Sequence, residues 1–190
     1  MTPVPTAQRM SAEEFMAIPE AQDDSRIFEL VEGEFIVHSP NGMHIDIQRD
    51  LLLALADWTR AAAGRGEVSL PRDTRLGELN FFIPDLLWYR EGRVPGREDP
   101  PPYALPDIAV EVRSASTWRY DIGAKKAAYE RHGLPELWLV DPVAREVLVF
   151  RRSVPRTARF DVALELGLAD VIESPLLPGF RLAVADVYPE

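Results

Sequence analysis

PDIAVEVRSASTWRYDIGAKKAAYERHGLPELWLVDP, residues 106–142, is the stretch of sequence that decides the fold. Within it, residues 107–113 alternate between the two faces expected of a β-strand. A helix is predicted from about Asp121 to His132, where Gly133 ends it. Residues 136–141 predict a second strand directly after that helix. A strand, a helix and a strand in this order favour a sheet with a helix packed against it.

Further elements are predicted on both sides of this stretch. They are a short helix from a capping box at residues 11–14 to Pro19, a hairpin over residues 26–37, a long helix over residues 43–63, a strand-like region over residues 67–90 and a strand over residues 146–151. Pro84 within the strand-like region indicates a strand edge or start, because proline cannot donate to a ladder. We therefore expect an α/β fold with an α+β mixed sheet.

The length of 190 residues favours one domain. We expect a flexible N-terminal tail over residues 1–10 and a single domain over residues 11–190. The loop over residues 91–106 is rich in proline and glycine, but it is too short to separate two domains. No run of about 18 apolar residues is present, and the N-terminus resembles no signal or targeting peptide. A cytoplasmic protein without a membrane partner is the expectation.

The amino-acid composition limits the kinds of partner and of chemistry that the protein can have. The formal charge of −10 argues against a protein that coats nucleic acid, although a local basic patch can act against the global sign. The absence of cysteine excludes disulfides and thiolate chemistry. Of the 21 basic residues only Lys125 and Lys126 are lysines. Two interpretations are open: codon bias with chance, or a lysine with chemistry that a guanidinium cannot perform.

Two carboxylates lie inside apolar strands. Alternation places Glu111 on the same strand face as Ala109 and Arg113. Glu111 needs a salt bridge, hydrogen bonds or a metal ion there, and a buried pair with an arginine is one alternative. Asp85 also lies in an apolar run and needs a partner there, and the alternative is that it stabilises a turn after Pro84. Asp107 also follows a proline and lies about 13 Å along the strand from Glu111, too far to share one ion with it.

The two lysines differ in their helical neighbours. Lys126 has Glu130 four residues later and can form an ordinary surface pair. Lys125 has Tyr129 at that spacing instead. If the helix packs on the sheet face that carries Glu111, Lys125 can reach the acids; the alternative is an exposed helix lysine.

Residues 106–142 resemble the signature of the Uma-two family, a group of bacterial proteins placed with the restriction endonucleases of the PD-(D/E)XK superfamily. FELVEGEFI, residues 28–36, resembles the opening hairpin of the family, and His44 resembles the histidine that opens its long helix. FFIPDLLWY, residues 81–89, resembles its Pro-Asp strand. The resemblance covers most of residues 12–190 and implies a restriction-endonuclease-like core, in which helices flank a central mixed β-sheet.

The resemblance also implies a metal site. Asp85 and Glu111 match the two carboxylates that bind Mg²⁺, for which Mn²⁺ can substitute, and Lys125 matches a lysine that helps to activate water. The family lysine lies on the helix rather than two residues after the glutamate. These three residues are the expected catalytic residues.

Three further residues are implied as neighbours of this site. Glu29 matches an acid in the opening hairpin that serves as an additional ligand or water-holder, and His44 lies close by. Arg113 departs from the pattern, since an apolar residue is usual at this position. Two roles remain open for it: binding the scissile phosphate, or pairing with Glu111 and weakening metal binding.

The implied activity is that of a Mg²⁺-dependent endodeoxyribonuclease, a hydrolase of DNA phosphodiester bonds. We expect a homodimer, because two related sites can cut both strands of a duplex. Two alternatives remain: a non-catalytic protein- or DNA-binding module on the same fold, and a hydrolase of another phosphodiester.

Overall fold

The structure is a computed structural model that describes residues 9–18, 26–114 and 117–188. Residues 1–8 of the predicted tail lie outside the described residues, as does Pro19, the predicted end of the first helix. The helices are α1 (Ala12–Met16), α2 (Gly42–Arg60), α3 (Trp118–Tyr120), a π-helix (Asp121–Lys125), α4 (Lys126–Arg131) and a 3₁₀ turn (Val184–Val187). The strands are β1 (Ile27–Val31), β2 (Glu34–His38), β3 (Glu67–Ser69), β4 (Thr74–Arg75), β5 (Phe81–Phe82), β6 (Leu86–Tyr89), β7 (Ile108–Val112), β8 (Glu136–Asp141), β9 (Glu146–Arg151), β10 (Val162–Leu166), β11 (Val171–Ile172) and β12 (Leu182–Ala183).

A six-stranded sheet in the order β10-β9-β8-β7-β6-β3 forms the centre of the fold. Strands β7 and β8 pair in parallel, and the other pairs in this sheet are antiparallel. A parallel pair needs a crossover connection, and the helices of residues 118–131 supply it. The predicted mixed sheet flanked by helices is therefore confirmed.

A smaller sheet in the order β2-β1-β5-β4 carries the predicted hairpin. Its turn consists of Glu32 and Gly33, which both have positive φ, 51° and 79°. Two such residues give the tight turn whose twist matches that of the flanking strands. A Cβ on residue 33 would lie 2.6 Å from Cβ of Arg9, so glycine is required there. The hairpin presents Glu29 from the middle of β1.

The central sheet is covered on both faces. On one face, Ile47, Leu51 and Leu55 of α2 pack against Trp138 and its neighbours. On the other face, residues of α4 pack against alternate side chains of the same strands, among them Ala109, Leu137 and Leu139. Burial on both faces explains why β7 and β8 are almost wholly apolar. It also makes the few charged side chains in these strands conspicuous.

Several predicted boundaries differ from the structure. The long helix ends at Arg60 rather than at residue 63. The strand-like region of residues 67–90 divides into four short strands, and Asp85 lies just before the last of them. The crossover helix begins at Trp118, and its second part, Asp121–Lys125, is a π-helix. None of the helices within the described ranges is both long and apolar enough to cross a bilayer.

Candidate active site

Asp85 and Glu111 come together because β6 and β7 are antiparallel neighbours. The register pairs Leu86 with Val110, so one further step places Asp85 opposite Glu111. Directly opposite residues have Cβ atoms about 4.5–5.5 Å apart on the same face. Both side chains are buried, with 4% exposure each. The face is the one covered by α4, as the alternation of β7 predicts.

The carboxylate of Asp85 is held by groups on either side. The backbone N–H of Val112 donates to its Oδ2 over 2.6 Å, and Nε2 of His44 lies 2.8 Å from its Oδ1. His44 lies in the first turn of α2, where Asn41 caps the helix by accepting the N–H of His44. Gln48, one turn later, donates to the carbonyl of Asp85 over 2.7 Å. The start of α2 thus fixes the orientation of this carboxylate.

Lys125 extends from the π-helix into the same cluster. Its Nζ lies 2.9 Å from Oε1 of Glu29 and 2.9 Å from Oε1 of Glu111. It also lies 3.4 Å from Oδ1 of Asp121. Only 2% of Lys125 is exposed, so the alternative of an exposed helix lysine is wrong. Lys125 therefore contacts Glu29 of β1 and Glu111 of β7, two of the acids predicted to lie at the site.

Glu111 is satisfied by residues of the crossover helix and not by an arginine. The hydroxyl of Tyr129 donates to its Oε1 over 2.6 Å, and Lys125 approaches the same oxygen. Tyr129 is itself fixed by an edge-on contact with the ring of Phe82, with centroids 5.2 Å apart. Oε2 of Glu111 accepts no hydrogen bond from the residues that the structure describes.

Burial and neighbouring charges shift the pKa values of the side chains in this cluster. Burial raises the pKa of Glu111 well above its usual value, and neighbouring carboxylates raise it further against the opposing effect of Lys125. Burial likewise raises the pKa of Asp121. Burial alone would lower the pKa of Lys125, but the carboxylates of Glu111 and Glu29 outweigh it and raise that pKa well above its usual value. Lys125 is therefore an ammonium near neutral pH.

Glu29 has the opposite pKa shift from Glu111. Burial opposes its ionisation, but Lys125 and His38 lower its pKa to about 2, helped by the N–H of Ile83, which donates to Oε1 over 2.8 Å. Nε2 of His38 lies 3.4 Å from Oε2 of Glu29. Glu29 thus keeps its negative charge and anchors Lys125.

Arg113 does not pair with Glu111, so that part of the sequence interpretation is wrong. Its Nη1 donates to Oδ2 of Asp141 over 2.6 Å, and its guanidinium lies over the ring of Trp118 at 5.3 Å. The parallel register of β7 and β8, which pairs Val112 with Val140, explains the contact. The other open role of Arg113, binding of the scissile phosphate, stays a prediction.

The expected pair of Lys126 with Glu130 is also absent. Nζ of Lys126 lies 4.4 Å from the ring centroid of Phe150, and Oε1 of Glu130 accepts the N–H of Phe160 instead. Both partners come from β9 and the loop after it, which helical spacing could not indicate. Lys126 remains outside the carboxylate cluster.

Sequence reasoning did not assign Asp121 and Tyr129 to the site. Both are buried, and each lies four residues from Lys125, Asp121 before it and Tyr129 after it. This spacing of four residues could have indicated that both side chains lie near Lys125, since residues four apart lie on the same side of a helix. Thr117 supports Asp121 by donating its hydroxyl to Oδ2 over 3.2 Å.

The donor set of this cluster fits a divalent cation. Three carboxylates, those of Glu29, Glu111 and Asp121, contact one ammonium, that of Lys125, and Asp85 lies opposite Glu111 on the neighbouring strand. Within the part of the chain that the structure describes, no three acidic or histidine side chains form a ready-made metal cage. Mg²⁺ is commonly held by one or two carboxylates and completed by water and phosphate oxygens. Asp85 and Glu111, opposite one another on neighbouring strands, meet that requirement.

Comparison with known proteins places the chain in a family. The solved structures include one of "a putative nuclease belonging to DUF820 from Anabaena variabilis ATCC 29413", which is similar to this chain with a TM-score of 0.76 and 19% identity. The similarity covers 94% of this chain and 97% of the other, and it shows the shared fold. No curated protein matches the chain. Residues 12–185 match the family Uma2, described as "Putative restriction endonuclease", a description that supports a nuclease function in general. The chain therefore belongs to the Uma2 family, as residues 106–142 suggested.

Proposed function

We propose that the protein is a metal-dependent endonuclease that hydrolyses phosphodiester bonds of DNA. Asp85 and Glu111 hold Mg²⁺ or Mn²⁺ in this proposal, and Lys125 lies beside the attacking water. The observation that carries the proposal is the convergence of a buried lysine on buried strand carboxylates. Burying several charged side chains together costs folding free energy, and such clusters are typical of functional sites.

Each proposed ligand is oriented by a second group. His44 and the N–H of Val112 fix Asp85, and Tyr129 fixes Glu111. Such supporting contacts keep ligands in the productive geometry and reduce reorganisation during the reaction. A bound Mg²⁺ polarises a phosphoryl oxygen and lowers the pKa of water.

Lys125 acts as a hydrogen-bond donor in this proposal and not as a general base. Its pKa is raised well above the usual value, so it keeps its proton near pH 7. Its three N–H groups face Glu29, Glu111 and Asp121, so in this proposal the longest of these contacts, 3.4 Å to Asp121, is exchanged for the water. The ammonium also stabilises negative charge on the phosphoryl oxygens. Glu29 stays ionised and holds the ammonium in position.

DNA is the substrate that the family description favours, since restriction endonucleases act on DNA. The net charge of −10 opposes the approach of a polyanion, but salt screens charges beyond about 8 Å at physiological ionic strength. A divalent cation between Asp85 and Glu111 would offset the negative charges of these two carboxylates.

A non-catalytic binding module on the same fold is the second candidate. The observation in its favour is that Lys125 already neutralises part of the cluster, at 2.9 Å from both Glu29 and Glu111. An internal cation of this kind reduces the need for a metal ion. Such a module would bind DNA or protein without cleaving, and it would not need Mg²⁺.

The two candidates are separated by a cleavage assay on supercoiled plasmid with Mg²⁺, Mn²⁺ or EDTA. Wild type is expected to nick the plasmid with either metal ion and not with EDTA. Loss of supporting groups around a metal commonly reduces activity about 10–100-fold, so Glu111→Gln should reduce it at least about 100-fold. Glu165→Gln is the control, because it makes the same change on β10, an edge strand of the central sheet that lies three strands from β7. Equal cleavage by the two variants would reject the proposed site.

We further infer that the active species is a homodimer, because a duplex has two strands to cut and two-fold assemblies are the commonest. Light scattering at micromolar concentration is expected to give twice the chain mass of 21.4 kDa. A monomer under the conditions of plasmid cleavage would reject this inference.

A further inference from the structure

A second polar groove lies away from the carboxylate cluster. It has a volume of about 330 Å³ and is lined by four arginines, Arg90, Arg93, Arg151 and Arg152, together with proline and leucine side chains. In a chain with a net charge of −10, four arginines around one groove are a local reversal of sign. We call this feature the arginine groove.

The arginine groove lies at the opposite ends of the strands from Asp85 and Glu111. Arg90 directly follows β6, and the register pairs Arg151 with Glu136 and Glu136 with Ile108. Glu111 is three residues further along β7 than Ile108, about 10 Å at the usual rise per residue. The groove is therefore separate from the proposed catalytic site.

Two of the four arginines share one carboxylate. Asp107, which is fully buried, accepts from Nε of Arg90 over 2.7 Å and from Nη1 of Arg93 over 2.5 Å. Arg93 also donates to the carbonyl of Leu105 over 2.9 Å. Two guanidiniums on one carboxylate leave a positive charge uncompensated. Both side chains remain partly exposed, at 50% and 41%.

Neither Arg151 nor Arg152 forms an ion pair with any residue that the structure describes. Arg152 donates to the carbonyls of Leu134, Thr157 and Glu130, so its guanidinium is fixed by the main chain, and the nearby carboxylate of Asp161 offsets only part of its charge. Among the described residues the side chain of Arg151 makes one long hydrogen bond, from Nη1 to the carbonyl of Glu173 at 3.4 Å, and its charge favours the ionised form of Glu136. Most of its five N–H groups are therefore available to a ligand.

The arginine groove as a whole has more positive than negative charge. Against its four guanidiniums stand three carboxylates, those of Asp107, Glu136 and Asp161. Glu136 accepts from Trp138 and Ser174, and Asp161 accepts from Ser153. Planar guanidiniums fixed in advance match the oxygens of a phosphoryl group and bind it in a bidentate manner. A volume near 300 Å³ is at the lower end of small-ligand sites and suits a single nucleotide.

We propose that the arginine groove binds the phosphoryl group of a nucleotide unit, with Arg151 as the main ligand-contacting residue. The apolar wall formed by Pro135, Pro155 and Leu176 lies beside the sugar or base. The nucleotide unit is either a free mononucleotide or part of a nucleic-acid strand, and both present the same phosphoryl chemistry. The site would hold nucleic acid or its product at a second point, remote from Asp85.

The test is calorimetric titration of the full chain in EDTA at low salt. The ligands are thymidine 5′-monophosphate and a short single-stranded oligonucleotide with and without a 5′-phosphate. Arg151→Gln is expected to weaken binding at least about 10-fold, the usual effect of losing charge-assisted hydrogen bonds. Arg49→Gln is the matched control, because it removes the same charge from an exposed site on α2.

The comparison of ligands identifies the source of the phosphoryl group. Equal binding of the mononucleotide and the 5′-phosphorylated strand indicates a terminal phosphate, whereas equal binding of the two strands indicates an internal phosphodiester. No binding of any ligand by wild type, or equal binding by Arg151→Gln and Arg49→Gln, would overturn the proposal. Thermal melts check that each variant is folded. Because EDTA removes metal ions, the result is independent of whether Asp85 and Glu111 hold a cation.

Discussion

Replacing Lys125 by methionine is expected to destabilise the protein strongly. The change keeps an unbranched side chain but removes the ammonium that lies 2.9 Å from Glu29 and from Glu111 and 3.4 Å from Asp121. Each of these carboxylates is at most 4% exposed, so water cannot replace the lost partner. Removing one partner from a buried ion pair typically lowers the free energy of unfolding by about 3–5 kcal/mol. We expect a loss of this size for Lys125→Met near pH 7.

The stability difference between Lys125→Met and wild type is also expected to depend on pH. Without Lys125, burial raises the pKa of all three carboxylates, so the folded variant binds protons more readily than its unfolded chain. Its stability should then rise relative to wild type as the pH is lowered from 7 towards 5. The gap between the two proteins narrows over that interval.

Urea denaturation followed by tryptophan fluorescence in EDTA measures both effects. Lys126→Met is the matched control, because its ammonium lies over the ring of Phe150 at 4.4 Å. Such a contact contributes about 0.5–1 kcal/mol, and a methionine sulfur retains part of it. If Lys125→Met loses less than about 1 kcal/mol, or no more than the control, Lys125 is not the central cation of the cluster.

Three further predictions concern single side chains. Lys125→Arg is expected to slow plasmid cleavage at least about 100-fold, because the planar guanidinium cannot occupy the place of a compact ammonium. The cleavage rate of Lys126→Arg should stay within a few-fold of wild type. Equal cleavage rates for the two variants would assign no catalytic role to Lys125. Glu29→Gln should reduce the free energy of unfolding at pH 7 by about 3 kcal/mol, because the pKa of Glu29 is lowered in the folded protein. This difference from wild type should shrink as the pH falls from 4.5 towards 2, where Glu29 becomes protonated. A difference that is independent of pH in denaturation curves would argue against the pairing with Lys125. Glu136→Gln should leave the stability at pH 7 unchanged or raise it. Burial raises the pKa of Glu136, so its ionised form opposes folding as the pH rises above 4.5. A marked loss of stability in thermal melts at pH 7 would contradict this prediction.

The strands of the central sheet could be predicted because their signals are local. Residues 136–141 and 146–151 are strands with the predicted bounds, since each apolar run is short and ends at turn residues. Alternation in β7 correctly placed Glu111 on the face of Ala109, away from Val110. The division of residues 67–90 into four strands could not be predicted, because it depends on two sheets that share this region.

The candidate site could be predicted only in part. Family resemblance and alternation indicated Asp85, Glu111 and Lys125, but the burial of Lys125 depends on which helix face meets the sheet. The π-helix of Asp121–Lys125 is set by that packing, since π segments have no strong local sequence signal and occur often at functional sites.

The contact of Arg113 with Asp141 illustrates the same limit. It is a consequence of strand order and register, because β7 and β8 are parallel neighbours although a helix separates them in sequence. A sequence gives spacing along one element, whereas such contacts join residues far apart in the chain.

Anomalous diffraction from crystals grown with Mn²⁺ tests the central claim most directly. We predict an anomalous peak between Asp85 and Glu111, within coordination distance of one carboxylate oxygen of each, with water or phosphate oxygens in the remaining positions. Crystals of Glu111→Gln grown in the same way should lack this peak. A wild-type crystal at millimolar Mn²⁺ with no peak at these two carboxylates would contradict the proposed metal-dependent mechanism.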